Sequence, residues 1–274
     1  MAQDDIDTEA RRRQLRATFD EDALLYDQAR PGYPPAMLDD IVALSGMPPG
    51  GHILEIGPGT GQVTLPWARR GYRVTAIELG ASMAAVARQK LAGFAGVEIV
   101  TGTFESWPLA PGTFDLVFSA TAFHWIEPAV RYRKSAEVLA PGGTLALCWN
   151  KHVDVPDSGG FFEATEPFYQ EAFPGHVYHG ARMPPEDQPA PEQIEIEESG
   201  LFGPVAARRY IWQQAYDVES YIALLSTYSD HRSLPPDRRA RLFEQIAGLM
   251  RADYGGRIVK GYLTALFCAR SLSV

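Results

Sequence analysis

From residue 52 to residue 150 the chain switches between two hydrophobic rhythms. "HILEIG", "RVTAIEL", "VEIVTG", "FDLVFSA" and "GTLALCWN" are short apolar runs with few polar breaks. Such runs read as strands buried on both faces, the pattern of a parallel sheet. Between them, "VTLPWARRG", "ASMAAVARQKLAG" and "AVRYRKSAEVLAPGG" read as helices. Pro141-Gly142-Gly143 stops the last of these. Strand and helix in alternation predict an α/β fold with right-handed crossovers.

Ahead of this stretch, "TFDEDALLYDQARPGYPPAMLDDIVALSGMPPGG" predicts a helix, a Pro-rich bend and a second helix. Residues 1–50 are thus expected to form an N-terminal helical cap on a core of residues 51–150. After Asn150 the rhythm breaks. Residues 151–190 are rich in Gly, Pro and aromatics, among them Phe161, Phe162, Phe168, Tyr169, Phe173 and Tyr178. A loop of that length in a compact domain is a lid, an insertion or disordered. From 191 the core resumes. "PEQIEIEESGLFG" reads as a helix and "VAARRYIWQQAY" as a strand; residues 217–254 read as a helical lid broken at "SLPPD". "GRIVKGYLTALFCAR" reads as the final strand.

The first strand runs into Glu55-Ile56-Gly57-Pro58-Gly59-Thr60-Gly61. Glycines after a strand let the backbone turn sharply and approach a ligand, and the next helix offers its free N–H groups there. The dinucleotide fingerprint has its third glycine one position later, inside the helix, where this chain has Val63. Glu55 would also repel a pyrophosphate, whereas it could accept hydrogen bonds from an ammonium. Glu78 ends the second strand, 17 residues past the last glycine. A carboxylate there suits a ribose diol. The expected ligand carries a ribose and a cation.

Composition narrows the classes. The 274 residues are 46% hydrophobic, enough for one large core or a core with a smaller cap. With 25 Lys+Arg against 34 Asp+Glu the net charge is −9, which argues against a nucleic-acid partner. The one dense basic cluster, Arg11 to Arg16, reads as a solvated face of a terminal helix. The N-terminus lacks the features of a secretory signal, and no apolar window reaches the roughly 18 residues of a membrane span. Cys148 and Cys268 sit in apolar runs and read as buried, reduced thiols, so a cytoplasmic location is expected. Six scattered histidines show no metal-ligand spacing, and His176 and His179 carry no clear signal. No Gly-x-Ser-x-Gly elbow points to a hydrolase.

From about Tyr26 to Asn150 the chain resembles class I S-adenosylmethionine-dependent methyltransferases. The resemblance rests on the glycine motif with Glu55, on Glu78, on "TGTFESWPL", on "FDLVFSATAFHW" and on "EVLAPGGTLALCWN". "YDQARPGYP", "FHW" and "YIALLSTYSDHRSLPP" resemble the trans-aconitate methyltransferase-like branch, which acts on small molecules. The resemblance implies a Rossmann-like, doubly wound, mostly parallel seven-stranded sheet with an antiparallel last strand and a helical or loop lid. It implies S-adenosylmethionine as cofactor. Glu55, Gly57, Pro58, Gly59, Thr60 and Gly61 would form its cradle, with Arg30 on the methionine carboxylate. Glu78 and Leu79 would meet the ribose, and Met83 would pack on the adenosine. Thr103, Phe104 and Glu105 would surround the adenine, although many relatives carry an acid where this chain has Thr103.

Ligands of such sheets lie at the carboxyl ends of the strands, near the topological switch. Ser119, Ala120, Phe123, His124 and Trp125 follow the fourth strand and belong near the methyl group. His124 would orient an acceptor oxygen or take its proton, and Trp125 would wall the pocket. Tyr26 is a third catalytic candidate. Tyr33, Trp149, Tyr228 and His231 are candidates for substrate contact. The expected reaction is methyl transfer to a small organic acceptor. Two alternatives stand: a cofactor-binding protein without methyl transfer, and a nicotinamide-dependent oxidoreductase on a similar sheet.

Overall fold

Seven strands form one sheet in the order β3-β2-β1-β4-β5-β7-β6. They are β1 (His52–Ile56), β2 (Arg73–Glu78), β3 (Val97–Thr101), β4 (Phe114–Ala120), β5 (Leu139–Val153), β6 (Ala206–Asp217) and β7 (Arg257–Arg270). The computed structural model describes residues 22–175, 181–185 and 188–272. The basic cluster of Arg11 to Arg16, and Tyr178, His176 and His179, lie outside the described residues. β1 pairs in parallel with β2 and β4, β2 with β3, and β4 with β5. The last strands run antiparallel. Strand order reverses between β1 and β4, which places the crevice of a doubly wound sheet at their carboxyl ends.

β1 is buried along four of its five residues and β4 along most of its length. Burial on both faces is what their unbroken apolar runs require. Helices α3 (Thr64–Arg69), α4 (Ala81–Leu91) and α5 (Pro128–Val138) connect these strands as crossovers. One apolar cluster joins Leu54, Ile56, Val117, Leu145 and Phe267. Another joins Ile53, Trp67, Leu116, Phe118 and Cys148.

The chain divides into two compact units. Of the described residues, those within Gly32–Asn150, Pro185–Tyr210 and Thr264–Val274 form the core unit. Those within Met1–Pro31, Lys151–Pro184 and Ile211–Leu263 form the helix-rich unit. The N-terminal segment is divided between them at its Pro-rich bend. Helix α1 (Ala23–Ala29) is started by Asp22, whose carboxylate accepts the Leu25 N–H at 3.0 Å, and packs on α9 (Val218–Leu225). Helix α2 (Pro35–Ser45) opens on Pro at its first position, stops at left-handed Gly46, and buries Met37, Leu38 and Ile41 in the core unit.

The aromatic stretch after Asn150 holds more regular structure than its composition predicts. It carries α6 (Phe161–Ala164) and α7 (Glu166–Ala172). Phe161 and Phe162 are buried in a third apolar cluster with Tyr221, Leu224, Ile246 and Met250. The helices are too short for a period of 3.6 to show, so only burial reveals them. That cluster also takes in residues of α11 (Pro236–Asp253). Helices α8 (Pro191–Glu198) in the core unit and α10 (Ser229–Arg232) in the helix-rich unit complete the fold.

Candidate functional site

Three loops meet at the carboxyl ends of β1, β2 and β3. Gly57, Gly59 and Gly61 all have positive φ, at 70°, 60° and 85°. A Cβ on Gly57 would stand 2.5 Å from the Ala122 Cβ, so this turn seats directly on the turn after β4. The Gly57 N–H donates to Ile77 O at 2.9 Å and the Gly102 N–H to Glu78 O at 2.9 Å, tying the loops into one rim. Glu78 stands at its centre: Oε2 accepts the Gly59 N–H and Oε1 the Gly80 N–H, each at 2.9 Å. Carboxylate oxygens accept more than one hydrogen bond, so these contacts leave Glu78 able to receive a diol as well.

Glu55 is buried at the end of β1, 1% exposed, and its Oε2 has no hydrogen-bond partner. Burial pushes its carboxyl from 4.5 up to about 8; the Thr64 hydroxyl works against the rise and the Glu78 charge adds to it. A buried carboxylate with an orphaned oxygen fits a cationic ligand group, because ion pairing would restore the charged form. The positive-φ glycines beside it fit a ligand lying close to the backbone. Both observations suit the ammonium and nucleoside of S-adenosylmethionine.

The other rim residues divide by what holds them. Pro58 is buried, and Thr60 is buried with its hydroxyl accepting from Gln62 Nε2 at 2.7 Å, so both build the turn. Leu79 is 37% exposed, an apolar surface beside Glu78, while Met83 is buried in the first turn of α4. Thr103 caps its own turn, accepting the Ser106 N–H at 3.2 Å and meeting Ser106 Oγ at 2.6 Å. Phe104 is buried beneath the Lys134 ammonium, with Nζ 5.2 Å from the ring centroid. Lys134 Nζ also donates to Glu105 O at 3.2 Å and Trp107 O at 2.5 Å. It fastens the Thr103–Glu105 loop from α5, a role that a lone lysine on a helix does not announce.

After β4 the backbone is strained. Thr121 has φ 54°, the one positive value outside glycine among the described residues. Three hydrogen bonds hold it: its N–H donates to Cys148 O at 2.7 Å, and its Oγ1 meets Tyr33 OH at 2.8 Å and the Asn150 N–H at 3.4 Å. Asn150 is fixed in turn by Gly32 O at 3.0 Å and the Thr264 hydroxyl at 2.6 Å. Ser119 donates to Ile56 O at 2.8 Å, joining β4 to β1. Strain that is over-determined in this way is characteristic of functional sites. Thr121 carries no sequence signal, since nothing about threonine marks a positive φ. Ala120 precedes this turn, and Phe123, His124 and Trp125 follow it in a short 3-10 helix in which Phe123 is buried. The His124 Nδ1 accepts from Trp149 Nε1 at 3.3 Å, and the Trp125 ring lies 4.7 Å from the imidazole. Partial burial lowers the His124 pKa, the Arg131 charge lowers it further, and Glu192 opposes both. The residue as a whole is exposed.

The remaining candidates lie in the helix-rich unit. The Arg30 guanidinium sits between the rings of Tyr26 (5.0 Å) and Tyr228 (4.7 Å) and donates to Thr227 O at 2.8 Å. His231 is buried, with Nδ1 on Asp230 at 2.8 Å and Nε2 on Tyr169 OH at 3.0 Å. Both of its ring nitrogens are thereby engaged within the unit. Among the described residues no cluster of His, Cys, Asp or Glu could hold a metal ion, and no helix is long and apolar enough to cross a membrane.

The chain is similar to known methyltransferases. Residues 54–147 match a family model described as a methyltransferase domain. An uncharacterized methyltransferase of Mycobacterium tuberculosis is 34% identical over 139 residues, which is 51% of this chain and 54% of that protein. The chain thus spans about half the length of the mycobacterial relatives it matches. The uncharacterized methyltransferase YrrT of Bacillus subtilis is 30% identical over 174 residues, 58% of this chain and 78% of that protein. Among solved structures, the [4+2]-cyclase SpnF superimposes with a TM-score of 0.50 at 17% identity, covering 89% of this chain and 83% of its own. That likeness shows a shared fold.

Proposed function

The chain belongs to the class I S-adenosylmethionine-dependent methyltransferases, and from that premise we propose that it transfers the methyl group to a small organic acceptor. The orphaned, buried Glu55 carboxyl beside the glycine rim carries this reading. Bound cofactor supplies a methyl group on a sulfonium, open to in-line displacement.

The residues of the chain bind, orient and exclude water. Glu55 takes the methionine ammonium, Glu78 and Leu79 the ribose, Met83 and the Thr103–Glu105 loop the adenine. Within the helix-rich unit, Tyr26 and Tyr228 support the Arg30 guanidinium. Ser119, Ala120 and Phe123 shape the floor after β4, and Tyr33 and Trp149 are assigned to the acceptor side. Because Trp149 donates to His124 Nδ1, the neutral imidazole carries its proton on Nε2. His124 therefore orients an acceptor oxygen as a donor, with Trp125 beside it. Well-aligned reactants gain roughly 7–11 kcal/mol in the best cases, so alignment can carry most of the catalysis.

The test is an acceptor screen with S-adenosylmethionine, reading S-adenosylhomocysteine and methylated product together. Equimolar formation of both is expected with a small-molecule acceptor. A cyclase on the same fold favours a second reading, in which the cofactor is bound and no methyl moves. Tight cofactor binding without S-adenosylhomocysteine release across the screen would select it.

A further inference from the structure

The turn that carries His124 is held by a cation from the next helix. Arg131, in α5, sets its guanidinium over the rings of Phe123, at 5.9 Å, and Tyr132, at 5.1 Å. Those two rings pack on each other at 5.3 Å. Arg131 Nη2 donates to Glu195 Oε2 of α8 at 2.7 Å, and the Tyr132 hydroxyl donates to the same oxygen at 3.0 Å. One acid of α8 thus fixes two neighbouring residues of α5. All of these groups belong to the core unit. Phe123 is buried and directly precedes His124, so a group fixed on its ring also fixes the start of the 3-10 turn. The turn is closed by the Trp125 N–H on Ala122 O at 3.0 Å and the Ile126 N–H on Phe123 O at 3.2 Å.

Glu195 does not cancel the charge it holds. The Arg131 side chain is 12% exposed, whereas that of Glu195 is 50% exposed and shared with water. Arg131 Nε is buried and makes no hydrogen bond among the described residues. A guanidinium is always charged, and one neutralised at a single edge by a hydrated acid keeps its field at short range. The His124 imidazole lies within that field. Burial first and the Arg131 charge second bring its pKa below the ordinary value; Glu192, also of α8, opposes them with the smaller effect. On the other side of the ring chemistry, Trp149 Nε1 occupies Nδ1. The cation disfavours a second proton on the ring, and the indole leaves the first one on Nε2.

We propose that Arg131, locked by Glu195, is a positioning residue for His124: it holds the Phe123–Trp125 turn in place and leaves the imidazole to act as a hydrogen-bond donor. The assignment deepens the proposed function, and it rests on that reading for the donor role of His124.

Imidazole titration tests the hold on His124 without turnover. The full chain, carrying isotope-labelled histidine, is titrated by NMR, and His124→Gln identifies the His124 signal by its loss. Arg131→Met should raise the His124 midpoint toward 6.5 by roughly half a pH unit or more, the scale of one charge near a partly exposed group. Arg131→Lys, which fills similar space and keeps the charge, should retain most of the depression. Arg131→Gln replaces Arg131→Met if the latter fails to fold. Glu195→Gln should speed amide exchange severalfold at Trp125 and Ile126, whose N–H groups close the turn. A folded Arg131→Met that titrates like the unaltered chain, equal midpoints in the Met and Lys variants, or unchanged exchange in Glu195→Gln would overturn the proposal. With an acceptor in hand, Arg131→Met should lower kcat and bring an acid limb into kcat/KM; an unchanged kcat would remove the positioning role. The expected midpoints and exchange rates in a chain that releases no S-adenosylhomocysteine with any acceptor would leave the hold on His124 standing and remove the methyl-transfer reading instead.

Discussion

Glu78 holds Gly59 in place: Oε2 of the acid accepts the backbone N–H of the middle glycine at 2.9 Å across 19 residues. The residue assigned to the ribose is thus also a tether for the loop that cradles the cofactor. Hydrogen bonds to a charged group contribute about 1.5–3 kcal/mol each. Glu78→Ala should therefore weaken S-adenosylhomocysteine binding at least tenfold and also lower the Tm of the unliganded chain. Calorimetry and thermal melts read the two effects. A loss of affinity with an unchanged Tm would show that the tether carries no stability.

Gly57 and Ala122 interlock. Gly57→Ala places a Cβ at a φ of 70° and 2.5 Å from the Ala122 Cβ. Strain and overpacking of this kind cost about 1–3 kcal/mol. Ala122→Gly should recover part of the loss, because it relieves the contact and not the dihedral strain. Denaturant melts of the two single variants and the double variant measure the coupling; strict additivity would mean that the two turns do not touch.

Glu55 should set a pH dependence. Its carboxyl is raised from 4.5 to about 8 in the folded, unliganded chain. The folded state then binds more protons than the unfolded one between those values, so stability falls as pH rises through that window. At about 1.4 kcal/mol per unit, the effect amounts to a few kcal/mol. Glu55→Gln should raise the Tm more at pH 8 than at pH 5 and should weaken S-adenosylmethionine binding. Parallel melting curves at the two pH values would contradict the assignment.

His124 acts, in this reading, as a neutral donor. Its pKa lies below the ordinary 6.5, so the neutral form persists as pH falls through 6.5. The pH profile of kcat/KM should show no acid limb centred at 6.5. His124→Ala should lower kcat by roughly 10²-fold, the scale of a misaligned reactant. His124→Gln should keep part of the rate, and cofactor affinity should hold in both variants. A limb at 6.5, or an equal loss in His124→Gln and His124→Ala, would point to a base instead.

The sheet was legible because strands buried on both faces write unbroken apolar runs, and the glycine motif was legible because only glycine tolerates its dihedrals. Glu55 and Glu78 could be read from their places at strand ends. What could not be read depends on tertiary neighbours. The apolar run of "GRIVKGYLTALFCAR" does not say that Lys260 is buried against two rings. His231 sits in a segment that suggests a lid, yet its neighbours Tyr169 and Phe173 come from a stretch whose helices are too short to leave a periodic trace. The strain at Thr121 depends on Tyr33 and Asn150, 88 and 29 residues away.

The two cysteines give the chain its own clock. Both thiols are buried, and desolvation raises the pKa of each, that of Cys268 to about 12. A thiol so placed is inert to an alkylating reagent until its strand opens. β5 and β7 are neighbours in the sheet, so both sulfurs report the opening of the half of the sheet beyond β4. The rate at which a soluble maleimide labels Cys148 and Cys268 therefore counts excursions of the sheet in the native protein, with no residue changed.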